Sequence, residues 1–286
     1  MTTTNFAPET HMGAVTLRVK DLDAMTTYYN EVVTLDVLYS EGDSVTLGRN
    51  GVPIVILQHA PELQHAAPGQ SGLFHTAILF ETQAALAAAV YSVASKAPGS
   101  FTGSADHLVS QAFYFDDPEG NGIELYWDRQ RDKWSWAHGS VEMDTLFLDP
   151  NAFLQEHLTD AAMTDPRIGG TTVGHVHLSI GDIKTAREFY VNQLGFDETL
   201  EWNGAALFVS AGGYHHHMGL NIWNSRGAGR RQLTLGLGQV DILVPNADSL
   251  GASSERLSHF GNEVRNDGQT LFVDDPWGNL LRLTVG

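Results

Sequence analysis

The chain has 286 residues, 42% of them hydrophobic and 17% charged, which is typical of a globular protein long enough for two domains. It contains no cysteine, which excludes disulfides, thiolate metal sites and a cysteine nucleophile, so any metal must be held by imidazole and carboxylate groups. A formal net charge of −18 disfavours binding to nucleic acid or anionic membranes. No apolar run approaches the roughly 20 residues of a membrane span, and the N-terminal residues do not have the pattern of a leader peptide, so we expect a cytoplasmic protein.

The first part of the chain is predicted to contain two successive sets of one strand, one helix and several strands. The first set comprises strand 15–19, helix 22–33 and strands 36–39, 44–48 and 54–57. The second set comprises strand 74–80, an alanine-rich helix 83–95 and a hairpin of strands 112–115 and 123–127. The turn of this hairpin, residues 117–122, is rich in residues that favour turns.

The remainder of the chain repeats this order after a connecting segment that includes a short helix at 152–157. In the third set, Asp182 is predicted to cap a helix over 183–194, and Gly195 is predicted to end it. The fourth set covers 239–286, with its helix near 249–260.

Two pairs of segments indicate an internal duplication. Residues 12–29 resemble residues 173–190, and residues 114–126 resemble residues 272–284 at nearly the same offset. We therefore predict two tandem domains with a connecting segment between them: residues 1–130, 131–170 and 171–286.

Three motifs carry a resemblance to a known family. They are Gly-His-Val-His-Leu at 174–178, Asp-Pro-Glu-Gly-Asn-Gly-Ile-Glu-Leu-Tyr-Trp at 117–127, and Gly-Gly-Tyr-His-His-His-Met-Gly-Leu-Asn-Ile-Trp at 212–223. With four βαβββ modules, the chain resembles the vicinal oxygen chelate superfamily of glyoxalases, bleomycin resistance proteins and extradiol dioxygenases. Within it, the chain is most similar to bacterial two-domain catechol 2,3-dioxygenases. The resemblance implies an α+β fold whose paired modules curl their sheets into cups, with metal ligands on the concave face.

Strand alternation places His75, Glu124 and His175 on the face opposite the bulkier aliphatic residues of their strands. A single histidine on a strand is more often structural, and Glu124 alone could be a solvated residue. These three, however, occupy matching positions in the second and third repeats. The matching positions of the first and fourth repeats carry Ala14, Gln239 and Arg282.

Two histidines and one carboxylate form the facial triad that is typical of non-haem Fe(II). We therefore predict a metal site at His75, Glu124 and His175, in a cup formed by the second and third repeats, and no metal in the other cup. Familiar extradiol dioxygenases draw all three ligands from the second domain, so this prediction departs from their pattern.

The resemblance implies an acid–base histidine at the start of the last strand of the third repeat. Alternation from Leu220 and Ile222 turns His217 toward the cup, and we predict His217 as that residue. A bulge at Gly219 would instead turn His216 into the cup. The alternative is that three consecutive histidines form a metal-scavenging tract on the surface.

The resemblance also assigns roles to residues of the second repeat. Tyr114, which alternates with Phe113 and Phe115, stands where a tyrosine bonds the substrate oxygen, and His107 resembles a histidine that contacts oxygen. His177 is expected to line the pocket.

Together with these residues, the resemblance implies an Fe(II)-dependent extradiol dioxygenase that cleaves a catechol-type or hydroquinone-type ring with dioxygen, giving a ring-opened semialdehyde acid. Mn, Zn or Ni could replace iron, and a homo-oligomer is left open. One alternative is a glyoxalase-like isomerase or lyase, whose second carboxylate would fall at Asn221. The other is a metal-free small-molecule binding protein of the same fold.

Overall fold

The computed structural model describes residues 5–286 and contains four modules of one strand, one helix and three strands. Module 1 consists of β1 (His11–Val19), α1 (Leu22–Thr27), β2 (Asp36–Glu41), β3 (Ser44–Arg49) and β4 (Val52–His59). Module 2 consists of β5 (Gly72–Phe80), α2 (Gln83–Lys96), β6 (Phe101–Asp106), β7 (Ser110–Asp116) and β8 (Gly122–Asp128).

A connecting segment separates these modules from the second pair. It contains β9 (Trp136–Ala137), β10 (Ser140–Val141), α3 (Pro150–His157) and α4 (Asp160–Thr164). Module 3 consists of β11 (Thr171–Ser179), α5 (Ile183–Arg187), β12 (Asp197–Trp202), β13 (Ala206–Ser210) and β14 (Met218–Asn221). Module 4 consists of β15 (Gly236–Val244), α6 (Ala247–His259), β16 (Val264–Asn266), β17 (Thr270–Asp274) and β18 (Leu280–Val285).

The strands form two curled eight-stranded sheets, and the predicted α+β class with four βαβββ modules is confirmed. The strand orders are β16-β17-β18-β15-β1-β4-β3-β2 and β12-β13-β14-β11-β5-β8-β7-β6, and β9 and β10 pair separately. Within residues 5–286, no helix has the length and apolar character that a membrane span requires.

The chain divides into two compact units, which we describe separately. The N-module unit contains Thr16–Leu63 and His75–Gly174, and therefore most of modules 1 and 2. The C-module unit contains residues 5–15, Gln64–Phe74 and His175–Gly286, and therefore most of modules 3 and 4.

The helices of modules 1 and 3 change from α-helical to π-helical hydrogen bonding along their length, whereas the sequence predicts regular helices over 22–33 and 183–194. Each continues as a π-helix, over Tyr28–Val32 and Glu188–Leu194. In module 1 the Val33 amide donates to the Tyr28 carbonyl, five residues earlier, at 3.0 Å. The predicted caps of the module 3 helix are confirmed. The Asp182 side chain accepts from the Thr185 amide, and Gly195 ends the helix with a φ of 105°.

The Asp-Pro turn of module 2 is bonded to the π-helix of module 1. The Tyr29 hydroxyl donates to Asp117 Oδ2 at 3.0 Å, and the side-chain amide of Asn121 donates to the same oxygen at 2.8 Å. Burial raises the pKa of Asp117 to about 6, although these hydrogen bonds act in the opposite direction. We call this arrangement, in which an aspartate of the turn accepts from a tyrosine hydroxyl and an asparagine side chain, a turn lock. The C-module unit repeats it with Tyr190, Asp275 and Asn279.

Candidate metal centre

His75 and Glu124 meet because β5 and β8 are parallel neighbours. Ala77 pairs with Glu124 in the register, so Glu124 lies one step along the same face from His75. His75 Nε2 lies 2.9 Å from Glu124 Oε2, and the two residues are only 6% and 2% exposed. Two ligand atoms that each lie about 2.1 Å from one ion at a right angle are roughly 3.0 Å apart. The separation of the pair suits two adjacent ligands of a divalent cation as well as a direct hydrogen bond between the two side chains.

The surroundings of this pair are largely apolar. Ala77, Ala112 and Tyr126 form a buried cluster, against which Leu79 and Tyr114 pack. The small side chain of Ala77 leaves space for its register partner Glu124. A buried carboxylate needs a neutralising neighbour, and here His75, or a cation bound together with His75, can provide it.

Tyr114 and His107 form a hydrogen-bonded pair beside these residues. His107 Nε2 lies 2.6 Å from the Tyr114 hydroxyl, and His107 Nδ1 lies 2.8 Å from the Asp144 carbonyl oxygen. Because a carbonyl only accepts, Nδ1 carries a proton, and in the neutral imidazole Nε2 accepts from the tyrosine hydroxyl. The tight turn between β6 and β7 brings the two residues together.

Tyr114 also faces His75 and Glu124, as its alternation with Phe113 and Phe115 predicts. Its register partner across β7 and β8 is Glu124, and its ring centroid lies 5.6 Å from that of His75. Burial raises the pKa of Tyr114 well above its usual value of 10, and the nearby Glu124 carboxylate raises it further. The hydroxyl therefore keeps its proton at neutral pH and acts as a donor.

In the C-module unit, His175 lies on β11 with 2% of its surface exposed. Its ring centroid is 4.1 Å from that of His216 and 6.0 Å from that of His215. The expected orientation of His217 is wrong, because this ring packs against Tyr214 and its Nδ1 accepts from the Ala211 amide at 3.1 Å.

The irregular start of β14 explains this change of face. Strand β14 begins only at Met218, so alternation from Leu220 does not extend back through the three histidines. His215, His216 and His217 are all buried, which excludes a surface metal-scavenging tract.

Register also moves the position that corresponds to Glu124 in module 3. In module 2 the register partner of Glu124 is Ala77, two residues after His75. In module 3 the residue two after His175 is His177, and it pairs with Gly219. The expectation that Asn221 occupies this position is therefore wrong, because Asn221 pairs with Ser179 instead.

Module 4 fills the corresponding positions with an ion pair. Arg282 Nη1 lies 3.0 Å from Asp241 Oδ2, and the side-chain amide of Gln239 donates to Asp241 Oδ1 at 2.6 Å. Burial raises the pKa of Asp241, whereas Arg282 lowers it. Here a guanidinium, rather than a metal, neutralises the carboxylate.

The three predicted ligands are suited to a divalent cation by their chemistry. His75, Glu124 and His175 are all buried, and each offers one imidazole nitrogen or carboxylate oxygen as a ligand atom. Two nitrogens and one carboxylate oxygen match divalent first-row metals such as Fe(II), Mn(II) and Zn(II).

Comparisons with known proteins identify relatives along nearly the whole chain. A family model described as the Glyoxalase/Bleomycin resistance protein/Dioxygenase superfamily matches residues 11–125 and 172–283. A catechol-2,3-dioxygenase of Bacillus subtilis (strain 168) is 34% identical over 278 residues, which are 96% of this chain and 96% of that protein.

Two solved structures share the fold at low sequence identity. A protein of Bacillus subtilis subsp. subtilis str. 168 has a TM-score of 0.65 at 13% identity, covering 99% of this chain and 86% of that one. Glyoxalase I from Zea mays has a TM-score of 0.60 at 17% identity, covering 97% of this chain and 92% of that one.

Proposed function

The chain belongs to the Glyoxalase/Bleomycin resistance protein/Dioxygenase superfamily and is a catechol 2,3-dioxygenase-like enzyme, and from this we propose that it is an iron(II)-dependent extradiol dioxygenase. Its substrates are a catechol-type or hydroquinone-type ring and dioxygen. The observation that carries the proposal is the 2.9 Å separation of His75 Nε2 and Glu124 Oε2 in a buried setting. The catechol-2,3-dioxygenase that is similar along nearly the whole chain supports the reaction class.

We propose that His75, Glu124 and His175 hold the metal. The supporting observations are their burial, their ligand types, and the pairing of His75 with Glu124. Three protein ligands leave coordination positions for small molecules, and iron(II) bound there would supply a centre that relays electrons between a chelating ring and dioxygen.

Tyr114 acts as a hydrogen-bond donor to a substrate oxygen in this proposal. Its raised pKa keeps the hydroxyl protonated, and His107 fixes the hydroxyl at 2.6 Å. The Asp144 carbonyl in turn orients the His107 ring. The hydroxyl has one proton, which His107 Nε2 accepts in this structure, so donation to a substrate oxygen requires the hydroxyl to turn toward the substrate, where the proton would stabilise negative charge.

His216 takes the acid–base role that the sequence suggested for His217. Its ring lies beside that of His175, and its Nδ1 is 2.7 Å from His215 Nδ1. One of these two nitrogens donates to the other, so His216 has a neighbour with which to exchange a proton. A proton can thus be supplied to the ring-opened product without entry of bulk water.

The test is to purify the protein without a histidine tag, measure its metal content, and load it anaerobically with Fe(II). Adding catechol and air should produce a yellow ring-opened product, with one dioxygen consumed per ring. Protein loaded with Zn(II) is the control and should give no colour. Iron-loaded protein that binds catechols without consuming dioxygen would contradict the proposal.

A further inference from the structure

Modules 2 and 3 fill the same two register positions in opposite ways. In module 2 the pair is Ala77 on β5 and Glu124 on β8. In module 3 the pair is His177 on β11 and Gly219 on β14. A small residue therefore faces a long one in both modules, but the long side chain is on the last strand in module 2 and on the first strand in module 3.

Gly219 is needed because of the His177 ring, not because of the backbone. Its φ lies outside the left-handed range that favours glycine. A Cβ atom at position 219 would lie 2.8 Å from both Cγ and Cδ2 of His177. These atoms are at the base of a rigid ring that is 4% exposed, so any side chain at 219 would displace His177.

Three aromatic side chains hold the His177 ring in this place. Its centroid lies 5.2 Å from that of Phe74, 5.3 Å from that of Trp223 and 5.7 Å from that of Phe208. The edge-on geometry of the contacts with Phe74 and Phe208 is favourable for aromatic packing. The ring is thus fixed across the glycine and has little room to move aside.

We propose that the His177–Gly219 pair determines the number of protein ligands on the metal, by excluding from module 3 the carboxylate that module 2 supplies. This inference rests on the proposed function, because it concerns the same metal. A chelating diol and dioxygen together need three coordination positions. A fourth protein ligand would occupy one of them, so the pair selects for ring cleavage over reactions that need fewer open positions.

The direct test exchanges the pair for the one in module 2, as the double substitution His177→Ala and Gly219→Glu. We expect this variant to bind Zn(II) or Mn(II) at least tenfold more tightly in competition with a chelator, and to lose ring cleavage. His177→Ala with Gly219→Gln is the matched control, since it has the same size without the charge. Equal affinities for the two folded double variants would overturn the inference.

A second experiment uses a variant in which one side chain is shortened and no new side chain is introduced. His177→Ala alone should leave space beside Gly219 for a free carboxylate. We expect acetate to change the visible spectrum of the Co(II)-loaded variant and to inhibit ring cleavage by the Fe(II)-loaded variant, with neither effect in the parent. A cobalt spectrum that acetate leaves unchanged in His177→Ala would contradict the inference, even if the double variant does not fold.

These outcomes are separable from failure of the proposed function. If the parent binds no divalent metal, or binds iron without consuming dioxygen, the proposed function fails. If the parent binds iron and cleaves catechol while the exchanged pair leaves metal affinity unchanged, only the role of His177 and Gly219 fails.

Discussion

His75 Nε2 lies 2.9 Å from Glu124 Oε2, and the two residues reach this separation from strands whose sequence positions are 49 residues apart. Parallel pairing of β5 and β8 sets the distance, with Ala77 as the residue opposite Glu124. The positions of His75 and Glu124 therefore depend on the β5–β8 register as much as on the residue types.

For the ligands, we expect Glu124→Gln and His75→Ala to lose metal and ring cleavage together. An amide is a weaker ligand than a carboxylate, and removing one member of a buried pair leaves the other unneutralised. Metal analysis after dialysis, alongside dioxygen uptake, checks this. Exposed His65→Ala is a suitable control and should retain both properties. Full metal content in Glu124→Gln would show that Glu124 is not a ligand.

Substitution of His216 should impair turnover, whereas substitution of His217 should impair stability. His216→Ala should keep its metal and lose about 10²–10⁴-fold in turnover, the usual contribution of a positioned proton donor. His217→Ala should instead lose about 1–3 kcal/mol in the free energy of unfolding, because the buried Ala211 amide loses its acceptor. Steady-state kinetics and urea unfolding of both variants distinguish these effects. The reverse pattern would restore His217 as the acid–base group.

Tyr114→Phe should lower kcat/KM by roughly 10- to 100-fold, as expected for loss of one hydrogen bond to a charged group. Since the pKa of Tyr114 is raised above 10, the tyrosine should not ionise between pH 6 and pH 9, so the shape of the pH–rate profile should stay the same. Profiles of parent and variant over that range test this. A limb of the profile that disappears in Tyr114→Phe would mean that the tyrosine titrates in the working range.

The buried Asp117 should make stability depend on pH. Its pKa rises from about 3.8 in the unfolded chain to about 6 in the folded one, so the folded state keeps a proton that the unfolded state loses. Its contribution is complete below about pH 3.8 and is lost as the pH rises through about 6, by about 3 kcal/mol at most.

Urea unfolding of the parent and of Asp117→Asn at several pH values measures this contribution. The stability of the parent relative to the variant should fall between about pH 4 and pH 6.5. The exposed Asp43→Asn variant controls for general charge effects. A difference between parent and Asp117→Asn that stays constant over this range would show that Asp117 does not take up the proton.

Much of the fold follows from local pattern. Period-two alternation placed His75 and Tyr114 on the same face as Glu124, because the pairings of β5 and β7 with β8 are regular and the register shift opposite Tyr114 adds its extra residue to β6. The caps at Asp182 and Gly195 were likewise readable, since each depends on one residue's own hydrogen bonding or backbone conformation.

The features that sequence missed depend on register and on hydrogen-bond period. The segments between the first and last strands differ in length between modules 2 and 3, so counting residues could not identify Gly219 as the partner of His177. The irregular entry into β14 interrupts alternation, which is why the sequence left both His216 and His217 open as the acid–base residue. A π-helical turn leaves nearly the same apolar pattern as an α-helical one, so the Tyr28–Val32 segment was expected to be regular.

The two turn locks give the protein an internal standard. Asp117 and Asp275 accept the same bonds from a tyrosine and an asparagine, but β8 carries Glu124 whereas β18 carries Arg282, which is already neutralised by Asp241. Removing the hydrogen bonds of Asp275 therefore measures how much stability and turnover are lost when a hairpin without a proposed ligand is no longer held. Any greater loss of turnover on removing the bonds of Asp117 measures how precisely Glu124 must be positioned.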